Sequence, residues 1–223
     1  MKNAKNILSP SEHDRVQARI ARLETHTDSE VVCAVATESG RYDRAESLCG
    51  LTTALVALLS VEKFLSMGAW ERSSGLSLGA QTLTIVLGFT TGSVLASYWH
   101  GLRRLFTGAR EIDAELQRSV NQVFSQRGIG ETRQRGGVLL YVSLFERRVE
   151  IRCDRALAAT LPPSTLPTIR DAILARLKTG DVAAGLIAGL DEAETSLAKA
   201  MPATGTPSRQ LPDTVLLFHP RPS

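Results

Sequence analysis

Gly137–Leu144 reads GVLLYVSL, a nearly unbroken apolar run. A strand without polar alternation has no face to give to water, so this one belongs at the centre of a sheet covered on both sides. Two residues, Phe145 and Glu146, separate it from Arg147–Cys153. There Val149, Ile151 and Cys153 alternate with Arg148, Glu150 and Arg152. That period of two predicts a half-exposed strand joined to the first by a tight hairpin.

Working outward, Glu30–Val35 (EVVCAV) is a second β-branched run, ending in the polar Thr37–Gly40. Ahead of it, Ser9-Pro10-Ser11-Glu12 combines an N-cap serine, a proline at the first helical position and a glutamate at the third. Val16, Ile20 and Leu23 give that helix one apolar face. Ile112, Leu116, Val120, Val123 and Phe124 mark another helix, which stops at Gly128. After the hairpin, Ile169, Ile173, Leu174 and Leu177 face inward on a helix that ends at Lys178-Thr179-Gly180. Asp181 caps a last one, with Leu186, Leu190, Ala193 and Leu197 inside. Strands interleaved with amphipathic helices predict the α/β class. Residues 201–223 are rich in proline and are expected to be disordered, with Val215–Phe218 as an apolar patch.

Composition agrees with a folded domain and exposes an interruption in it. The chain has 223 residues, 43% of them hydrophobic and 22% charged, with mean hydropathy −0.02. These values exclude disordered and many-span membrane classes. The net charge of +3 is too small to imply nucleic acid. Yet residues 45–99 hold only five charged side chains: Glu46, Glu62, Lys63, Glu71 and Arg72.

Within that insert, Ser73–Trp99 is uncharged for 27 residues. As a helix, residues 76–99 would rise about 36 Å, enough for a hydrocarbon core of ~30 Å. Tyr98 and Trp99 close it at an interface, followed by His100, Arg103 and Arg104. Residues 45–65 form the weaker first span, and the stretch 68–75 turns the pair into a helical hairpin. Small residues recur every fourth position in the second helix, at Ala80, Thr84, Gly88, Gly92 and Ala96. Gly88, Gly92 and Ala96 are the expected packing surface, with Gly50 and Ala54 matching them on the first helix. Met1–Pro10 has no apolar run after its lysines, so no cleaved leader is expected. Arg41 and Arg44 precede the hairpin, while Arg103, Arg104, Arg110 and Arg118 follow it. This bias predicts a two-pass inner- or plasma-membrane protein with both flanks and the soluble domain cytoplasmic.

Chemistry is thinly marked. Four scattered histidines and no CxxC spacing argue against zinc, and an odd three cysteines argue against a disulfide framework. Gly128-Ile129-Gly130 resembles half of a phosphate loop but reads better as a helix stop and turn. Arg133 and Arg135, beside Arg127, are candidates for an anion. Glu30 opens one strand and Asp154 closes another, making them the candidate metal-binding carboxylates at a common sheet edge.

The order of these elements resembles the TPM-domain family over about residues 9–200, the insert excepted. GVLLYVSLFERRVEI (137–151) is similar to the family core, G-V-L-hydrophobic-V-S-x-x-E-R-x-V-E-I. The resemblance implies a three-layer α/β/α sandwich with a mixed sheet, split here into 9–40 and 103–200 around the hairpin at 45–99. Family members include thylakoid-lumen proteins with acid phosphatase activity and accessory proteins of a membrane receptor. Some bind calcium beside a Gly-Tyr-Gly-Leu-Glu stretch, which here reads Cys153-Asp154-Arg155-Ala156-Leu157-Ala158, with only Leu157 matching. The expectation is therefore a membrane-anchored, non-catalytic accessory or binding module for another membrane protein. The alternative is a Ca²⁺- or Mg²⁺-dependent phosphatase. The sequence leaves the oligomeric state open.

Overall fold

The apolar run becomes β2 (Gly137–Ser143), buried along its whole length. Its neighbours are β1 (Glu30–Ala36), β3 (Arg148–Cys153) and a short β4 (Leu216–Phe218). The sheet order is β3-β2-β1-β4, which puts β2 inside as its composition requires. β1 runs parallel to β2, with Glu30 opposite Gly137 and Ala36 opposite Ser143. β3 returns antiparallel, Val138 facing Cys153. This is a computed structural model, describing residues 3–68, 76–205 and 210–222. The chain divides into two compact units, residues 1–40 with 114–223, and residues 41–113.

In the first unit, alternation along β1 and β2 feeds two cores. Val31, Cys33, Val35, Val138, Leu140 and Val142 point to one face. That face is covered by α1 (Pro10–Glu24), α7 (Thr165–Leu177) and α8 (Val182–Ala200). Val32, Ala34, Ala36, Leu139 and Tyr141 point to the other, under Leu116, Val120 and Val123 of α5 (Ala109–Gln126). Helices therefore lie on both sides of a mixed sheet, the three-layer arrangement. The caps form as their residues dictate. Ser9 accepts from the Glu12 amide while Glu12 accepts from the Ser9 amide at 2.7 Å, and Asp181 accepts from Ala184 at 2.8 Å. Gly128 ends the α5 segment with φ +62°, the left-handed conformation glycine permits.

Three local readings change. The β2–β3 connection takes four residues, Leu144–Arg147, because Arg147 turns left-handed (φ 53°) instead of entering the strand. A short helix, α6 (Arg155–Thr160), follows β3. Too brief to show a 3.6-residue period, it is announced only by its cap. The tail expected to be disordered instead supplies β4, parallel to β1 with Ala34 opposite Leu216 and Ala36 opposite Phe218. Proline density hid a three-residue strand, and Val215 just ahead of it is buried in the first core.

The second unit contains α2 (Asp43–Gly68), α3 (Leu78–Tyr98) and α4 (His100–Phe106). α2 and α3 are each long and apolar enough to cross a membrane. Residues 69–75, including Trp70 and Arg72 of the expected turn, lie outside the described residues. α2 and α3 meet through their small residues. A methyl group at Gly88 would sit 2.7 Å from the Ala54 Cα, and one at Gly92 would sit 2.5 Å from Thr53 Oγ1 and 2.9 Å from the Cys49 carbonyl. Gly50 lies equally close against Ser93 and Phe89, and Ala54 and Ala96 are buried. The GxxxG seam thus joins the two helices of one chain. Thr52, Thr53, Thr82, Thr84, Thr90 and Ser97 donate their hydroxyls back to carbonyls four residues earlier. Each polar side chain is thereby satisfied without water. The large apolar side chains point the other way: Leu51, Leu55, Leu59, Leu83 and Leu87 are all more than half exposed.

Candidate functional site

In open α/β sheets the crevice beyond the carboxyl ends of the strands is the usual place for function. Here β1 ends in Thr37, Glu38, Ser39 and Gly40, and β2 ends in Ser143 beside the turn residue Glu146. Ser39, Tyr141, Ser143 and Glu146, with Ser119 of α5, form one buried polar cluster. The Ser39 amide donates to Glu146 Oε1 at 2.8 Å, and the Ser143 hydroxyl donates to Oε2 of the same carboxylate.

The proton inventory then fixes the rest. Ser143 has used its proton, so Ser39 must donate to Ser143, at 2.9 Å. Ser39 has then used its own, so the 3.3 Å contact with Tyr141 is donated by the phenol. Ser119 must in turn donate to Tyr141, at 3.0 Å. Burial raises the Tyr141 phenol above its ordinary value, with the hydrogen bonds of Ser119 and Ser39 opposing, so it stays protonated as a donor. The result is a one-way chain, Ser119 to Tyr141 to Ser39 to Ser143 to Glu146. It ties α5, both central strands and the turn to the point where the chain leaves β1. A chain with every hydroxyl proton committed holds the geometry of the strand ends. Gly40 completes the exit, since any Cβ there would overlap the Glu115 side chain of α5.

The sequence candidates lie at the opposite end of the sheet. Glu30 sits opposite Gly137, whose carbonyl accepts from the Asp154 amide at 2.9 Å, so the two carboxylates flank the start of β2. Glu30 is buried and accepts the amides of Gln210 (2.8 Å) and Leu211 (2.7 Å). Asp154 caps α6 through the Ala156 amide at 2.8 Å. Among the described residues, no three His, Cys, Asp or Glu side chains are grouped to hold a metal ion. Arg133 and Arg135 are exposed, Arg135 with φ 53°, and the Arg133 backbone amide donates to the Gln210 side chain at 3.0 Å. Arg127 stacks over Phe218, 5.9 Å from the ring centre. Gly88, Gly92 and Ala96 occupy the α2–α3 seam.

The thiols are unreactive by environment. Burial, with the nearby charge of Glu24, pushes Cys33 up to about 12, and burial raises Cys153 above its ordinary value. They lie on β1 and β3 with β2 between and two residues out of register, beyond disulfide reach.

The polar chain was only partly visible in the residues. Ser143 and Glu146 fall inside the quoted core motif, whereas Ser39 and Ser119 carry no spacing signal. A lone hydroxyl in a polar stretch looks like any other solvated one.

A mixed sheet between two helical layers, with this core strand and hairpin, defines the class. The family model for the TPM domain matches residues 108–196. The fold is similar to the NMR structure of the BA42 protein from the psychrophilic bacterium Bizionia argentinensis. The TM-score is 0.55 at 17% identity, with 94% of each chain covered. That likeness is one of fold. No curated protein matches the chain.

Proposed function

We propose that the protein is a membrane-anchored TPM domain acting as a non-catalytic accessory or binding module for another membrane protein. The observation that carries this reading is the insert. Two span-length apolar helices turn their small residues inward to each other and their leucines outward. In a water-soluble hairpin the bulky apolar side chains would be the buried ones. Lipid accounts for the inversion, because it rewards close backbone approach and takes leucine on the outer face. The arginines on both flanks support a domain on the cytoplasmic side of the inner or plasma membrane.

The non-catalytic part is supported by what the candidate carboxylates already do. Glu30 already accepts the Gln210 and Leu211 amides and Asp154 caps a helix, structural uses that favour the non-catalytic reading. The test is isolation of the full chain from its own membranes in mild detergent after cross-linking in the intact cell. A discrete complex with an integral membrane protein is expected. A lone chain that hydrolyses a phosphoester, with activity lost to a chelator, would contradict the reading.

A further inference from the structure

Residues 210–221 run as a strap along the edge of β1, and fastenings begin ahead of them at Thr204. The Thr204 hydroxyl donates to the Asp28 carboxylate at 2.6 Å. Glu30 takes the amides of Gln210 and Leu211. Beyond them, β4 pairs with β1, and the ladder continues through Thr37 N–H to Phe218 O at 3.1 Å and Glu38 N–H to Pro220 O at 2.9 Å. Arg221 closes the far end on Glu38 at 3.3 Å.

Between the Glu30 fastening and β4 stands Asp213, whose carboxyl is hydrogen-bonded to that of Glu24 at the end of α1. Glu24 Oε1 also accepts the Val31 amide at 3.0 Å, which ties it to β1. Two carboxyl groups hydrogen-bond only with a proton between them, since each is otherwise acceptor-only. The titratable groups acting on Glu24 are Asp213 on the strap and Glu30 on β1, and Cys33 of β1 feels its charge in turn. All are acids. Without the proton, the strap's Asp213 meets like charge from both α1 and β1.

We propose that the strap is a proton-gated edge strand: the proton shared by Glu24 and Asp213 fastens residues 210–218 to β1, and its loss lifts them from the sheet edge. Burial first, then the charges of Asp213 and Glu30, raise Glu24 to about 7, so this proton is exchanged near neutral pH. The sign follows from linkage. The fastened form binds the proton more tightly than the lifted one, so fastening is complete at acid pH and weakens as pH rises through about 7.

Hydrogen–deuterium exchange on the full chain in nanodiscs, at pH 6 and pH 8 and corrected for intrinsic rates, tests this directly. Peptides covering 31–38 and 211–219 are expected to lose protection roughly tenfold at pH 8, one unit above the carboxyl, while 137–143 is unchanged. Glu24→Gln keeps an acceptor for Val31 and offers Asp213 a permanent N–H donor. It is therefore expected to hold the strap at pH 8 as firmly as at pH 6, and Asp213→Asn does the same from the other side. Equal protection at both pH values in the unmodified chain would overturn the proposal. So would an equal loss in the unmodified chain and in both variants.

Discussion

Gly137→Ala is expected to destabilise the α/β unit by about 3 kcal/mol or more, at the upper end of overpacking costs. A Cβ at this position would overlap the backbone carbonyl of Ile129 and press on its side chain. Neither obstacle can yield cheaply. Ile129 is itself fully buried, in a 3-10 turn packed on the second core, and Gly137 must stay in register opposite Glu30. The adjacent Gly136 provides the contrast. A methyl group there meets chiefly the Met201 sulfur, a flexible end that can move aside. Thermal melting followed by circular dichroism should show Gly137→Ala lowered by roughly ten degrees, with Gly136→Ala lowered far less. Equal shifts would mean that the start of β2 does not set the packing of the sheet.

The Gly88→Leu, Gly92→Leu double variant should separate α2 from α3. Backbone lies against both glycines: a methyl group at Gly88 meets the Ala54 Cα at 2.7 Å, and one at Gly92 meets the Cys49 carbonyl at 2.9 Å besides the Thr53 side chain at 2.5 Å. Leucine on both positions forces the helices apart by more than any rotamer change absorbs. In lipid, no apolar burial is gained to compensate. Spin labels at Leu55→Cys and Ile85→Cys, both on exposed positions, report the separation in a chain whose native cysteines are replaced by alanine. The expected result is a longer and broader distance distribution in the double variant. An unchanged narrow distribution would show that the seam does not hold the hairpin.

What the residues disclosed follows from periodicity and length. The run GVLLYVSL declared a central strand because no face of it is polar, and β2 is buried at every position. Ser9 and Glu12 declared the start of α1, and both halves of the capping box form. The small-residue stripe declared a helix contact, although not whether it would lie within the hairpin or between chains. Short elements escaped. β4 has three residues and lies among prolines, and only pairing with β1 makes it a strand. Glu30, a candidate metal ligand in the sequence, accepts the Gln210 and Leu211 amides ahead of it. The polar chain from Ser119 to Glu146 joins residues as far apart as 39 and 146, so no local pattern could have assembled it. Asp154 needed its own local geometry, an amide two residues on, to become a cap.

Extraction of membranes with alkaline carbonate tests the anchor most directly, because it strips peripheral proteins and leaves spanning helices in the bilayer. Membranes from cells expressing the full chain should retain the protein in the pellet, and deletion of residues 45–99 should release the remaining domain. Release of the full chain into the supernatant would contradict the account, since the exposed leucines of α2 and α3 would then need a protein surface and not lipid to cover them.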